Sequence, residues 1–133
     1  MRRKWVKALA GLATMMLLAG VIWAEVNVTR DTVTITIASG ETASTLNDAS
    51  SITREGIIRH VVLTLPDCTG ATSTLTLVNG TTTIYTYGTP IAENTTTTVD
   101  LNRYVAGKTY IKLTSAGAEA ADRTITGIVY TEQ

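Results

Sequence analysis

Thr32-Val33-Thr34-Ile35-Thr36-Ile37 is the stretch that decides the fold class. Three apolar side chains alternate with three threonines. Strand side chains point alternately to opposite faces, so the stretch predicts a β-strand with one buried and one wet face. β-Branched residues suit that pleated surface. The alternation returns in Ser73-Thr74-Leu75-Thr76-Leu77, Thr98-Val99-Asp100-Leu101, Tyr110-Ile111-Lys112-Leu113 and Thr124-Ile125-Thr126. Val61-Val62-Leu63-Thr64-Leu65 is more apolar throughout, which marks a central strand.

Turn chemistry separates these runs. Asn79-Gly80 predicts a hairpin between the Leu75 and Ile84 strands, through a type I′ turn whose two central residues both need positive φ. Pro66-Asp67-Cys68-Thr69-Gly70, Gly88-Thr89-Pro90, Glu93-Asn94, Ala106-Gly107 and Ser115-Ala116-Gly117-Ala118 supply the other breaks. Residues 41–55 lack alternation and predict a short helix or a long loop, with Ser44, Asn47 and Asp48 as candidate caps. With residues 26–37 counted as one strand or two, the chain holds seven or eight strands. That is an all-β protein, a single antiparallel β-sandwich of jelly-roll-like or immunoglobulin-like architecture. The Cys…Trp…Cys pattern of immunoglobulin domains is absent. The threonine-rich runs recur at unequal intervals, which excludes a solenoid.

The sandwich follows a different kind of segment. Arg2, Arg3, Lys4 and Lys7 precede 17 uncharged, mostly apolar residues, 8–24. A basic start, an apolar run and a terminal alanine predict an export helix cleaved after Ala24. The run also reaches the lower limit for a bilayer span, so an uncleaved membrane anchor is the alternative. Val21 stands where a lipid-bearing cysteine would be, which excludes lipidation at that point. The chain thus divides into residues 1–24, signal or anchor, and 25–133, the sandwich. It is expected to be exported: secreted, periplasmic or at the cell surface.

This division changes the charge reading. The whole chain has 11 basic and 11 acidic residues, but the sandwich carries 7 and 11, a net charge of −4. Such a domain is a poor partner for nucleic acid or an anionic membrane. Both tryptophans lie in the first 24 residues and phenylalanine is absent, so the core must be aliphatic with a few tyrosines. Threonine, 27 of 133 residues, fills the outward half of the strands. Cys68 has no second cysteine to pair with and reads as a small buried thiol.

Chemistry-bearing patterns are sparse. His60 is the only histidine, without the partners of a transition-metal site or a catalytic triad. Asp67, Glu93 and Asp100 lie near turns but lack the spacing of a calcium loop. No phosphate-cradling glycine motif occurs, and no cofactor is expected. Three Asn-x-Thr triplets begin at Asn27, Asn79 and Asn94, at a frequency the threonine content explains. Tyr85 and Tyr87 share one strand face and are a candidate platform for stacking on a glycan, weighed against packing at the core rim. The Thr-x-Thr rows suggest an ice-binding array, but sandwich sheets twist.

The segments Leu65-Pro66-Asp67-Cys68-Thr69-Gly70-Ala71-Thr72, Ile84-Tyr85-Thr86 and Ile91-Ala92-Glu93-Asn94-Thr95 resemble small β-sandwich proteins of tailed phages and prophages. The resemblance spans about residues 63–130 and implies a virion structural or decoration role without catalysis. The export signal departs from that pattern and favours a secreted or surface variant.

The expected role is therefore non-enzymatic: a structural or surface-interaction protein, as a filament or surface-layer subunit that self-associates by strand addition. The N-terminal strand is the candidate donor, through Val26, Val28, Val33, Ile35 and Ile37, because an extended terminal segment can complete a neighbour's sheet. The alternatives are a virion decoration protein and a glycan-binding surface module.

Overall fold

The structure is a computed structural model that describes residues 26–67 and 69–133. The segment expected to direct export, residues 1–24, and Cys68 lie outside the described residues. Nine strands follow in chain order: β1 (Val28–Ile37), β2 (Ser51–Thr53), β3 (Gly56–Leu65), β4 (Thr72–Asn79), β5 (Thr82–Thr86), β6 (Ile91–Ala92), β7 (Thr95–Val105), β8 (Lys108–Ser115) and β9 (Arg123–Glu132). The alternation in β1 acts as written: Val33, Ile35 and Ile37 are buried while Thr32 and Thr34 face water.

The first sheet has the order β1-β9-β3-β7 and the second β2-β8-β4-β5, with β6 paired to β4. The chain shuttles between sheets, and the last strand returns beside the first. Two such interlocked Greek keys are a jelly roll, which resolves the two sandwich architectures left open by the sequence. β1 and β9 pair without interruption from Val28↔Glu132 to Ile37↔Arg123. β3, the most apolar run, is central, flanked by β9 and β7.

The core is aliphatic. Ile35, Ile37, Ile58, Leu63, Leu75, Leu77, Ile111, Leu113 and Ile125 are its largest fully buried apolar side chains. Burying each stabilises the fold by roughly 1.5–3 kcal/mol. Tyr85 and Tyr87 pack against this cluster at its rim. Gly127 lies where the core is narrowest: a Cβ there would meet Val33 Cγ2 at 2.8 Å and Leu63 Cδ2 at 3.3 Å.

Three elements differ from their sequence expectation. The β4–β5 hairpin forms, but Asn79 pairs with Thr82, so Gly80 and Thr81 are the central residues. Gly80 has φ +60° and is the only one of the two at positive φ, the pattern of a type II′ rather than a type I′ turn. Residues 41–55 hold a short helix, as one of the two expectations had it, but also a strand that the sequence did not suggest. They form a 3-10 turn over Asp48–Ser50 followed by the short strand β2. Asn47 caps that turn: its Oδ1 accepts the Ser50 N–H at 3.1 Å, and Ser50 Oγ accepts the Asn47 N–H at 3.2 Å. Strand β7 runs for eleven residues, well beyond the alternating tetrad that announced it. Its length was obscured by four consecutive threonines, which have no hydrophobic period.

Candidate functional site: the two sides and one end of the sandwich

On the outer face of the first sheet the strand registers align side chains in transverse rows. Thr34, Thr126, Thr64 and Thr96 form one row across all four strands, and the Thr64 and Thr96 hydroxyls hydrogen-bond at 3.2 Å. The next row holds Thr32, Ile128, Val62 and Thr98, and the one after it Arg30, Tyr130, His60 and Asp100. His60 and Tyr130 rings stack with centroids 4.4 Å apart. The only histidine is thus part of a surface row, flanked by a ring on one side and a carboxylate strand neighbour on the other.

The long side bounded by β1 and β2 is covered. Thr45 N–H donates to the Thr36 carbonyl at 3.0 Å, bringing the chain alongside the outer edge of β1. Ser44 N–H donates to the Leu113 carbonyl at 2.8 Å, and Ser44 Oγ accepts the Leu113 N–H at 3.0 Å, which ties the same segment to the other sheet. Further along, Arg54 grips Asp31 of β1 with two parallel bonds, Nε and Nη2 each 3.0 Å from a carboxylate oxygen. The Asp31 carboxylate raises the Arg54 pKa through that bonding and its charge. Lys108 pairs with Asp48 and fixes the 3-10 turn to the start of β8, and its ammonium lowers the Asp48 pKa. Residues 44–54 therefore form a guard along β1.

The opposite side, bounded by β7 and β5, has no such cover. Strand β7 is hydrogen-bonded on one side only, to β3, and β5 on one side only, to β4. Arg103 reaches from one edge to the other, its guanidinium 4.3 Å from the centroid of Tyr85, and Asn79 Nδ2 donates to the Ala106 carbonyl at 2.9 Å at the end of that side. In β7 the residues from Thr95 to Asp100 hold regular register with β3. Asn102, at φ +49°, ends that regularity where β3 shifts register between Ile58 and His60.

At one end of the first sheet lies a groove of about 540 Å³ lined by Glu55, Gly56, Ile57, Tyr104, Glu132 and Gln133. Tyr104 is exposed and donates its hydroxyl to Glu55 Oε1 at 2.8 Å, a bond that raises the phenol pKa. Arg59 pairs with Glu132 and holds that carboxyl below its ordinary range. Gly56, at φ +148°, admits the Glu132 carbonyl where a Cβ would come within 2.3 Å of it. The sequence reading missed this groove, because its residues come from three strand ends and share no motif.

At the other end, Glu119 is buried within a small polar cluster. Its Oε2 accepts the Thr69 N–H at 3.0 Å and lies 3.3 Å from Arg123 Nε. Burial pushes its pKa up, but the Thr69 N–H, the Ser115 hydroxyl and Arg123 outweigh that and hold it below the ordinary value.

The residues singled out in the sequence fall as follows. Tyr85 and Tyr87 are half-buried against the core, and Arg103 covers the Tyr85 ring. Val33, Ile35 and Ile37 point inward, whereas Val26 and Val28 are exposed on the opposite parity. The five candidate donor residues thus occupy two faces, and β1 from Val28 on is paired within its own sheet. Asp67 and Asp100 are exposed, Glu93 is half-buried, and no cluster of metal-ligating side chains occurs among the described residues. No helix among the described residues is long and apolar enough to cross a membrane.

No protein-family model matches the chain, and no curated protein does. Among solved structures, a chain of the Bacillus endospore appendages, described as a novel family of disulfide-linked pili, is similar at 16% identity and a TM-score of 0.42. The match covers 82% of this chain and 91% of that one. Such a score is too low to assign a shared fold. None of these comparisons connects the chain to a virion protein.

Proposed function

We propose that this protein is an exported, non-enzymatic structural subunit that acts by self-association through a sheet edge. The observation that carries the reading is the uncovered β7 strand. An edge presents a row of unpaired N–H and C=O groups, which recruit another strand unless a loop, lysine, proline or bulge prevents it. β1 has such a cover, whereas β7 from Thr95 to Asp100 has no cover, lysine, proline or bulge. Strand addition at β7 leaves β1 in place, so the core residues of β1 stay with their own chain. A two-fold contact at this edge closes at a dimer, and a further, heterologous contact extends such units into a filament or layer.

The test is sedimentation velocity over a concentration series of the chain from Glu25, with negative-stain electron microscopy of the same samples. The reading expects concentration-dependent ordered assemblies; a monomer throughout overturns it. Intact mass of the exported protein tests the export part, with cleavage after Ala24 as the expected result.

A surface-ligand module is the second reading, favoured by the groove beside the exposed Tyr104 ring. A glycan array probed with wild type and Tyr104→Ala decides it, and no binding by wild type ends it. A virion decoration role rests on the sequence resemblance alone. A gene neighbourhood without capsid, portal or tail genes removes it.

A further inference from the structure

We infer that the β7 edge pairs with the β7 edge of a second copy, antiparallel about a two-fold axis at Thr98, joining the two first sheets into one of eight strands. This rests on the self-association reading and specifies its first contact. Gln133 N–H donates to the Asn27 carbonyl at 3.0 Å, in line with the β1–β9 register, so the odd-numbered residues of β1 bond to β9. Even-numbered ones face away, as the Thr36 carbonyl does in accepting from Thr45. Each strand bonds to its two neighbours with alternate residues. Carried through the registers Thr34↔Thr126, Thr64↔Thr126 and Thr64↔Thr96, this alternation gives the odd residues of β7 to β3. The N–H and C=O groups of Thr96, Thr98 and Asp100 therefore face the open edge.

The register follows from length and charge. The regular stretch of β7 runs from Thr95 to Asp100, and Thr98 is the central one of its three outward-bonding residues, Thr96, Thr98 and Asp100. A two-fold there sets Thr98 against its own copy, Thr96 against Asp100, Thr97 against Val99 and Thr95 against Leu101. Every outward-bonding residue finds a partner, and the register shift at Leu101 and Asn102 lies at the end of the paired stretch. Each directly opposed pair among the outward-bonding residues exchanges two main-chain hydrogen bonds. Asp100 is the only charged residue of the stretch, and this register places it opposite a threonine hydroxyl rather than its own copy. Among the described residues Asp100 holds no ion pair of its own, so it is free to accept that hydroxyl. Like charges directly opposed would be destabilising, and Thr–Thr pairs across strands are favourable. The guard along β1 leaves no equivalent edge there, which selects a like-with-like contact over a β7-to-β1 one. Two-fold dimers are also the commonest closed assembly.

The experiment uses the chain from Glu25, because the whole hydrophobic core lies between Val33 and Val129. Thr98→Pro removes an outward N–H that no internal bond uses, so the fold is retained while the edge is blocked. Sedimentation velocity is expected to show wild-type dimer or larger species and Thr98→Pro monomer, with unchanged circular dichroism. In a Cys68→Ser background, Thr98→Cys is expected to form a covalent dimer under mild oxidation and Thr96→Cys is not. Hydrogen-bonded antiparallel partners lie about 5.5 Å apart at Cα, within disulfide reach. Wild-type assembly that persists in Thr98→Pro, or cross-linking at Thr96 but not Thr98, overturns the pairing and leaves the self-association reading standing. A wild-type protein that stays monomeric overturns both.

Discussion

On one long side of the sandwich, residues 44–54 run beside β1, bonded at Thr36, clamped at Asp31 and tied across to β8. On the other, β7 and β5 end their sheets with no strand beyond them among the described residues, and Arg103 reaches across to Tyr85. Both sides are built from the same threonine-rich alternating strands, so strand composition does not distinguish them. The difference comes from the intervening chain. The connection from β1 to β2 is long and crosses between the sheets at the edge of β1, whereas β7 turns into β8 through Ala106 and Gly107 alone. A short turn offers nothing to lay along β7.

The sharpest way to break this contrast is to attack the core contribution of the guarded strand. Ile35→Ala, at a fully buried site in β1, is expected to lower stability by about 2–5 kcal/mol in urea unfolding. A loss under about 1 kcal/mol would mean that β1 is not anchored in its own sheet. Next comes a proline pair on the open strand. Thr97→Pro removes an N–H directed at β3 and should cost about 3 kcal/mol, while its neighbour Thr98→Pro should cost little. Equal losses would refute the assigned parity of β7.

Glu119→Gln tests the end of the sandwich that closes both sides. It removes charge-assisted bonds worth about 1.5–3 kcal/mol at neutral pH. The native carboxyl titrates below its ordinary value of 4.5, so its contribution is present above that pH and is lost as acidity carries the solution down through the lowered pKa. Wild type should thus lose stability below pH 4.5 more steeply than Glu119→Gln, and parallel acid curves would refute that role. The smallest effect on stability is expected from Arg54→Gln. It releases the clamp on Asp31, and its consequence should be read in association: if the guard is what silences β1, the variant gains a second sticking edge and forms larger species. Unchanged sedimentation would show that the bonds of Ser44 and Thr45 suffice alone.

Much of this architecture was legible in the sequence, because a two-residue period with one apolar face is an explicit instruction for a half-buried strand. The inward positions of β1, β4, β8 and β9 follow from it directly. What stayed hidden depended on partners remote in the chain. Thr95-Thr96-Thr97-Thr98 has no apolar period, so the start of β7 is set by its register with Leu65 to Val62. The donor set joined Val26 and Val28 to Val33, Ile35 and Ile37 as one hydrophobic series, although residue parity alone places them on opposite faces. The groove beside Tyr104 was invisible for another reason: Glu55, Tyr104 and Glu132 meet only after three strand ends have been brought together.

The pairing of the first strand with the last has a kinetic meaning. Thr29 and Thr131, bonded across β1 and β9, are 102 residues apart in the chain. Contacts between such distant segments demand loop closure before they return any stabilisation, and they slow folding. β9 is also the strand that separates β1 from β3, so the first sheet has no continuous surface until β9 has arrived. During synthesis β1 waits for the strand it pairs with, and completion of the jelly roll is timed by the emergence of Arg123–Glu132.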